Sequence, residues 1–482
     1  ETPPELTDEG LLIRSYILGR QFVPEERAFH LLRLTEAASR TQLSLAKLWA
    51  EEVFQLTFEL TPSWNRVATQ KNALMALAAV DAERAFTLFS SIDLPVPKSD
   101  GSMPEDVRAH AAGTVFQKLW LRKGQSCLPE VRRAAQHLGE TGQYPYLAMV
   151  PILKDVSTKD SAETQSLFSE AVSFYRRGSR VESADREFVE FLNSVWDLVP
   201  RPLMGEAVRV AVERLLQERS AEDKRYFSRV GTESGGAVFR KPSDELLFKL
   251  LPRLREVDPD WSRRIAEERP ALGAALNGGV RYTEGVVVQG VKEATEAEIS
   301  AMQSEGMETS RLVRIEEIAA TNPEEALRLA LTLTDPALRS VALATVGMGL
   351  SERKPIEASR LVTQAKQVLS QIEDDAGKVK AWTALAQAAA KTGDRETALD
   401  ALEHGLNLGE ELFEQDQDVH PGQPAIFATG FDELVTLVQV GIRLESGSTL
   451  ARLISLRNSL LRAHLFIDAA QALSELRPKK PK

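Results

Sequence analysis

The stretch that decides the fold is Val379–Leu408, which reads VKAWTALAQAAAKTGDRETALDALEHGLNL. Its first half carries side chains on one face of a helix with 3.6 residues per turn: Val379, Trp382, Leu385, Ala386 and Ala389. Gly393 follows where a helix end favours a left-handed residue, and Asp394 can cap a second helix. That helix carries a narrow stripe of mostly small residues: Ala398, Leu402 and Gly405. Such a stripe lets two antiparallel helices approach closely, so the stretch predicts a helical hairpin.

This pattern resembles a tetratricopeptide repeat. In that family Trp or Leu, then Leu, then Gly or Ala mark the first helix, and Ala, an aromatic residue or Leu, then Ala mark the second. The matching residues are Trp382, Leu385, Ala386, Ala398, Leu402 and Gly405. The sequence departs from the family at Gly405, where Ala is usual, and it lacks the closing Pro near Gly409. The resemblance is clear only over residues 379–408.

Weaker copies of the unit precede it. The matching residues are Leu343, Val346, Gly347 and Leu350 in one helix, Ala358, Val362 and Ala365 in the next, and Ala326, Ala330 and Leu333 upstream. Their unequal spacing indicates a degenerate array with loop insertions. A helix, a capping residue and an acidic first turn also recur at residues 78–86 and 319–327. Either the whole chain is built of helix pairs, or Ala-rich amphipathic helices look alike by chance.

We therefore predict an all-α protein, an α-solenoid or superhelix of antiparallel helix pairs. Residues 1–271 are predicted to form an N-terminal block of helical hairpins, with loops at 94–103 and 231–242. A Gly-rich break over residues 272–306 predicts a linker or a small excursion spanning 272–309, and a hairpin packed on the solenoid is the alternative. Residues 310–476 are predicted to form the tetratricopeptide-like block, with a loop at 415–430 and capping helices at 431–444 and 448–476. A basic tail, 477–482, follows.

Composition limits the classes of protein to consider. The chain has 482 residues, of which 43% are hydrophobic, 27% charged and 6% aromatic. These values are typical of a folded chain that is too long for one ordinary core. No run approaches twenty apolar residues, so no membrane span is predicted. The net charge of −11 argues against broad nucleic-acid binding, which needs clustered Lys and Arg. The basic tail is interpreted as a solvated terminus.

The single cysteine and the first residues bear on the compartment. Cys127 alone excludes an intrachain disulfide and a zinc site built from several thiolates. The sequence begins Glu1-Thr2-Pro3-Pro4, as a processed or trimmed chain does. A short, polar, Pro-rich start favours an exported protein, periplasmic or extracellular, and a cytoplasmic protein is the alternative.

No catalytic motif is recognisable. Nucleophile elbows, phosphate loops, dinucleotide fingerprints, two-His zinc helices and calcium loops are absent from the sequence. No two of the six His are three or four residues apart. Neighbouring carboxylates, such as Glu51-Glu52 and Glu410-Glu411, could serve a glycosidase, but on polar helix faces they are better explained by solvation. We therefore predict a protein that is not an enzyme and holds no cofactor or metal.

The predicted function is a scaffold that binds a protein or peptide partner. Stacked helix pairs expose a concave groove lined largely by the first helix of each pair. In the clearest unit the predicted partner-binding residues are Lys380, Thr383, Gln387 and Lys391, which alternate with the core positions. They suit an acidic or mixed peptide. The alternative is the helical domain of a polysaccharide- or peptidoglycan-processing enzyme, or its accessory subunit. A regulator would need a basic helix-turn-helix, which the sequence does not offer.

Overall fold

The computed structural model describes residues 7–60, 64–92, 107–178, 182–217, 228–232, 235–239, 241–269, 272, 308–309, 311–420 and 425–477. Almost all of these residues are helical, and the helices pack in adjacent pairs. The predicted all-α helical-pair fold is confirmed. Within the described ranges, none of the helices has the length and apolar composition that crossing a bilayer requires.

The helices follow one another with short connections where both neighbours are described. The first three are α1 (Asp8–Gly19), α2 (Pro24–Ala38) and α3 (Leu43–Leu56). The next elements are α4 (Trp64–Val80), α5 (Ala82–Ser91), α6 (Val107–Lys123), α7 (Leu128–Glu140), α8 (Tyr146–Ser157), α9 (Ser161–Arg177), α10 (Glu182–Ser194), α11 (Arg201–Leu216), β1 (Ser228–Thr232), β2 (Gly235–Phe239), α12 (Pro242–Val257) and α13 (Pro259–Glu268). The last are α14 (311–318), α15 (Pro323–Ala330), α16 (Pro336–Leu350), α17 (Pro355–Leu369), α18 (Asp375–Thr392), α19 (Arg395–Val419), α20 (Phe431–Ser455) and α21 (Ser459–Leu476).

The decisive stretch forms the α18–α19 hairpin, and its local signals act as predicted. The Asp374 side chain accepts a hydrogen bond from the backbone N–H of Gly377 at the start of α18 (2.6 Å). Gly393 ends α18 with φ +81°, in the left-handed region that favours glycine. Asp394 then caps α19 by accepting from Thr397 N–H at 3.1 Å. Each contact satisfies a backbone group that a helix end leaves unpaired.

Two residues of the hairpin, Gly405 and Trp382, show how its side chains pack, and Trp382 packs differently from the prediction. Gly405 is buried, and a Cβ there would lie 2.7 Å from Cδ1 of Leu437 on α20. This close approach explains why Gly stands where the repeat family usually has Ala. Trp382, predicted to fill the core, is only half-buried. Its ring stacks on the exposed His404 ring, with centroids 4.8 Å apart, at the edge of the helix pair.

The described chain divides into two compact units. One consists of Glu1–Thr69 and Ala294–Lys482, and the other of Gln70–Glu293. In the first unit α16 packs on α17, α18 on α19 and α20 on α21, while α16, α18 and α20 contact one another in succession. This arrangement is the stacking of helix pairs that the sequence predicts.

The N-terminal helices continue this row of pairs. Helix α1 packs along α21, and α2 contacts both α21 and α3. Ser15 of α1 lies beside Ala463 and Asp8 beside Arg477, so α1 runs antiparallel to α21. The contacts therefore group the described helices differently from the predicted blocks of 1–271 and 310–476.

Helix α21 also departs from the predicted capping role. Buried residues occur all around it: Leu461, Ala463, His464, Leu465, Phe466, Ile467, Asp468, Ala469, Ala470 and Ala472. A helix that is apolar on every side needs neighbours on more than one face, and α1, α2 and α20 supply them. The two predicted capping helices correspond to α20, which is kinked at Glu445, and to the separate helix α21.

The second unit has an aromatic core. The rings of Tyr175 and Phe188 stack with centroids 3.8 Å apart, and Tyr146 meets Phe188 edge-on at 5.1 Å.

Strands β1 and β2 form an antiparallel hairpin in which Val230 pairs with Ala237. The sequence analysis predicted a loop over much of this region, and the paired strands correct it.

The sequence predicts three further irregular regions, at 94–103, 272–306 and 415–430. The loop at 94–103 lies outside the described residues, as does most of the Gly-rich break, of which Leu272 is described and buried. The linker and hairpin alternatives for residues 272–309 therefore stay predictions. The loop at 415–430 begins later than predicted, because α19 extends to Val419 and residues Ala425–Phe427 form a 3₁₀ turn.

Candidate functional site

Helix α18 is enclosed on most of its surface. Its buried residues are Gly377, Val379, Ala381, Thr383, Ala384, Leu385, Ala386, Ala388 and Ala389. Helices α16, α17, α19 and α20 all pack against it. The small side chains allow this crowding, and only a narrow part of the helix remains in contact with solvent.

Three of the four predicted partner-binding residues lie in that part. Lys380 and Lys391 are exposed and Gln387 is half-buried between them. Thr383 is only 7% exposed, and its Oγ1 donates to the backbone oxygen of Val379 at 2.8 Å. A threonine that bonds the preceding turn satisfies its own hydroxyl, so Thr383 is removed from the predicted surface. We call Lys380, Gln387 and Lys391 the α18 surface.

The two lysines of the α18 surface differ from neighbouring lysines in their surroundings. Lys366 donates to Asp400 at 2.7 Å and Lys378 to Asp375 at 2.8 Å. Among the residues that the structure describes, Lys380 and Lys391 form no ion pair. At 1.5 Å per residue, Lys380 and Lys391 lie about 16 Å apart along the helix axis. The α18 surface therefore presents two positive charges with an amide between them.

A larger concavity lies in the second unit, between α5, α6 and α7. Its volume is about 660 Å³. Phe86, Phe89 and Leu119 contribute apolar surface, and the two Phe rings are 6.1 Å apart. The charged residues of the lining are Glu83, Arg108, Lys123, Glu130, Arg133, His137 and Glu140. Both signs alternate there, so the electrostatics favour neither an anion nor a cation. Residues 93–106, which connect α5 to α6, lie outside the described residues.

Sequence reasoning missed this cavity for a physical reason. Its lining comes from three helices, and each contributes only a few residues at ordinary amphipathic spacing. The available signal was the pair Phe86 and Phe89, since two phenylalanines three residues apart share a helix face.

The acidic pairs that could have served a glycosidase are engaged in structure. Glu52 accepts from Tyr16 Oη at 2.9 Å and also from Arg27. Glu410 accepts from the Arg457 backbone N–H at 2.8 Å and from Arg452 at 3.0 Å. Over the described ranges, no group of three His, Cys, Asp or Glu is arranged to hold a metal ion.

A buried polar cluster joins α1 and α2 to α21. It consists of Ser15, Glu26, His30, Arg33, His464 and Asp468, which we call the histidine cluster. His464 Nε2 lies 2.8 Å from Glu26 Oε1 and its Nδ1 lies 2.9 Å from an Arg33 guanidinium nitrogen. Arg33 also donates to both oxygens of Asp468, at 2.8 and 3.0 Å. The two histidines are fully buried, with ring centroids 4.8 Å apart.

The other half of the histidine cluster centres on Ser15. Its Oγ donates to the backbone oxygen of Ala463 at 2.7 Å. His30 Nε2 lies 3.1 Å from Ser15 Oγ and 3.0 Å from Ser15 O. The cluster escaped sequence reasoning because its members come from opposite ends of the chain, and no local spacing relates them.

No protein-family model matches the chain, and no curated protein matches it. The likeness to tetratricopeptide repeats therefore rests on the residues of the α18–α19 hairpin.

Proposed function

We propose that the protein is a non-catalytic helical-repeat scaffold that binds a protein or peptide partner in a groove along α18. The observation that carries this proposal is the α18 surface: on a helix otherwise enclosed by neighbours, Lys380 and Lys391 are exposed. Two exposed cations that form no ion pair among the described residues favour an acidic partner.

The spacing of the lysines narrows the choice of partner sequences further. An extended chain rises about 3.3 Å per residue and its successive side chains point to opposite faces, so carboxylates on one face lie about 13 Å apart at four residues or about 20 Å apart at six. These two spans bracket the axial separation of Lys380 and Lys391, and the flexible lysine side chains can adapt to either. Gln387, between them, offers both a donor and an acceptor to the partner's backbone. The preferred partner is thus an extended segment with acidic residues on one face, four or six positions apart.

The strength expected from these contacts is modest. An exposed ion pair contributes about 0.2–1 kcal/mol and is weakened by salt. Two such pairs set orientation and encounter rate more than affinity. Binding is therefore expected to weaken steeply with ionic strength.

The test uses the full chain and fluorescent peptides in which two Glu are separated by three to eight positions. Anisotropy at about 50 and 300 mM salt is expected to show tighter binding at separations of four and six than at five, where the two Glu side chains point to opposite faces. Lys380→Glu combined with Lys391→Glu should weaken that binding at least tenfold. The matched control is Arg40→Glu with Lys118→Glu, which changes two exposed cations elsewhere by the same charge.

Equal effects of the two double variants would overturn the assignment of the α18 surface, as would equally tight binding of Lys-containing peptides. The non-catalytic part has a separate test. Reproducible hydrolysis of a glycan or peptide panel by the pure protein, abolished by one carboxylate substitution, would contradict it.

A further inference from the structure

We propose that α1 and α2 form an acid-releasable clasp on α21, and that protonation within the histidine cluster opens it while α16–α18 stay folded. The clasp is the interface at which the first described helices cover the last one. Opening would expose the buried face of α21 inside an otherwise intact row of helix pairs.

The protonation state of His464 follows from its partners. A guanidinium group only donates hydrogen bonds, so His464 Nδ1 must accept from Arg33 at 2.9 Å. The proton of the neutral ring is then on Nε2, which donates to Glu26 Oε1 at 2.8 Å. A second proton could enter only at Nδ1, where it would point at an N–H of Arg33. Protonating His464 therefore breaks the contact between α2 and α21.

His30 is a second histidine whose protonation is unfavourable in the closed clasp. Ser15 Oγ gives its proton to Ala463 O, so the neutral His30 ring donates from Nε2 toward the Ser15 oxygens. Its Nδ1 is buried without a hydrogen-bond partner among the described residues. A charge there would be both desolvated and close to His464 and Arg33.

The charged and titratable groups around the histidines come from α2, α20 and α21. Helix α2 contributes Glu26 and Arg33, α21 contributes Asp468, and α20 contributes Asp432. Burial first, and the Asp432 charge in addition, raise the pKa of Asp468 against the effect of Arg33. Helix α1 places the neutral residues Ser15 and Gly19 against His30. The 3₁₀ turn contributes the Ala425 N–H, which donates to Glu26 Oε2 at 3.2 Å.

The direction of the pH effect follows from the pKa shifts. Burial, with the nearby Arg33, holds the pKa of both histidines well below 6.5. Because the pKa of each histidine is lower in the closed clasp than after release, the histidines favour the closed clasp above pH 6.5. This contribution to stability is lost as the pH falls. Burial raises the pKa of Glu26 to about 7 and also raises that of Asp468, which acts in the opposite sense.

The proton count decides between these opposing effects. At about pH 5.5, one unit below their ordinary pKa, the released histidines hold close to two protons, whereas the closed clasp holds about one, on Glu26. The raised pKa of Asp468 reduces this difference. Opening therefore takes up as much as one proton. Each unit of acidification favours opening by up to about tenfold, and the clasp is tightest near pH 6.5–7.

The test is hydrogen exchange followed by mass spectrometry on the full chain at about pH 7, 6 and 5, corrected for the intrinsic pH dependence of exchange. Residues 8–38 and 459–476 are expected to lose protection by up to about tenfold per pH unit. Residues 336–392 should keep theirs. Loss of protection in step across all three regions would overturn the proposal, as would unchanged protection of the clasp.

A neutral substitution isolates the histidine. His464→Gln can still donate to Glu26 and accept from Arg33, so it should at least halve the slope of clasp opening against pH. The control is His404→Gln, an exposed histidine on α19, which should leave the slope unchanged. A full slope in His464→Gln would contradict the assignment. If that variant does not fold, the wild-type comparison of regions decides alone.

Discussion

Trp382 shows how a single aromatic residue can mark a repeat without filling its core. The ring lies half-exposed on His404, whereas Trp49 in the same unit is 1% exposed and stacks on Tyr16 at 5.6 Å. The more a side chain is buried, the more packing contacts are lost when it is replaced by Ala. The two tryptophans therefore differ in their expected contributions to stability.

Replacing Trp382 with Ala should lower the free energy of unfolding by about 1–2 kcal/mol, less than the 3–5 kcal/mol (roughly) typical of a fully buried Trp. Trp49→Ala should lower it by about 3–5 kcal/mol, because its ring is enclosed. Urea unfolding followed by circular dichroism measures both. Equal losses for the two variants would mean that Trp382 is buried in solution.

Gly405 allows a second comparison at this scale. A Cβ at residue 405 would meet Leu437, which is fully buried, whereas a Cβ at Gly113 in α6 would meet nothing within 4 Å. Gly113→Ala should stabilise by up to about 1 kcal/mol through helix propensity. Gly405→Ala should instead destabilise by about 1 kcal/mol, because overpacking exceeds that gain. Stabilisation of both variants, measured by urea unfolding, would refute the close α19–α20 approach.

At the scale of helices, the sequence allowed prediction of those features that depend on neighbouring residues. The cap at Asp394 and the left-handed Gly393 were predictable because each acts within one turn of chain. The packing of α1 on α21 was not, since its contacts join residues more than 400 positions apart. Of the four residues predicted to bind a partner, Thr383 is buried, because its burial depends on neighbouring helices rather than on its own spacing. A binding role for the other three stays a prediction.

The contact between α2 and α21 supports a prediction about Arg33. Asp468 is 3% exposed, and both of its carboxylate oxygens accept hydrogen bonds from Arg33. Arg33→Leu leaves this carboxylate buried without its cation, which should cost about 3–5 kcal/mol. The exposed Arg40 is the control, and Arg40→Leu should change stability by less than about 0.5 kcal/mol.

A double variant checks the cause. Adding Asp468→Asn to Arg33→Leu removes the stranded charge and should restore part of the loss, as read from a double-mutant cycle of unfolding free energies. Strict additivity of the two substitutions would mean that the pair is not coupled in the folded protein.

At the scale of the molecule, the first unit is assembled from both ends of the chain. The row of helix pairs runs through α16–α21 and continues into α1, α2 and α3. Helix α21 thereby acquires neighbours on several faces, as its apolar circumference requires. Both the α18 surface and the clasp belong to this unit, so the arrangement of α1 against α21 is the claim on which the account depends most.

The most direct test is a distance between spin labels on Ile13 of α1 and Leu476 of α21, both exposed, in a Cys127→Ser background. Packed helices lie about 8–10 Å apart, so with label arms we expect one narrow distribution centred near about 20 Å. A broad distribution centred beyond about 40 Å, as expected if the N-terminal helices began a separate block of hairpins, would contradict the account.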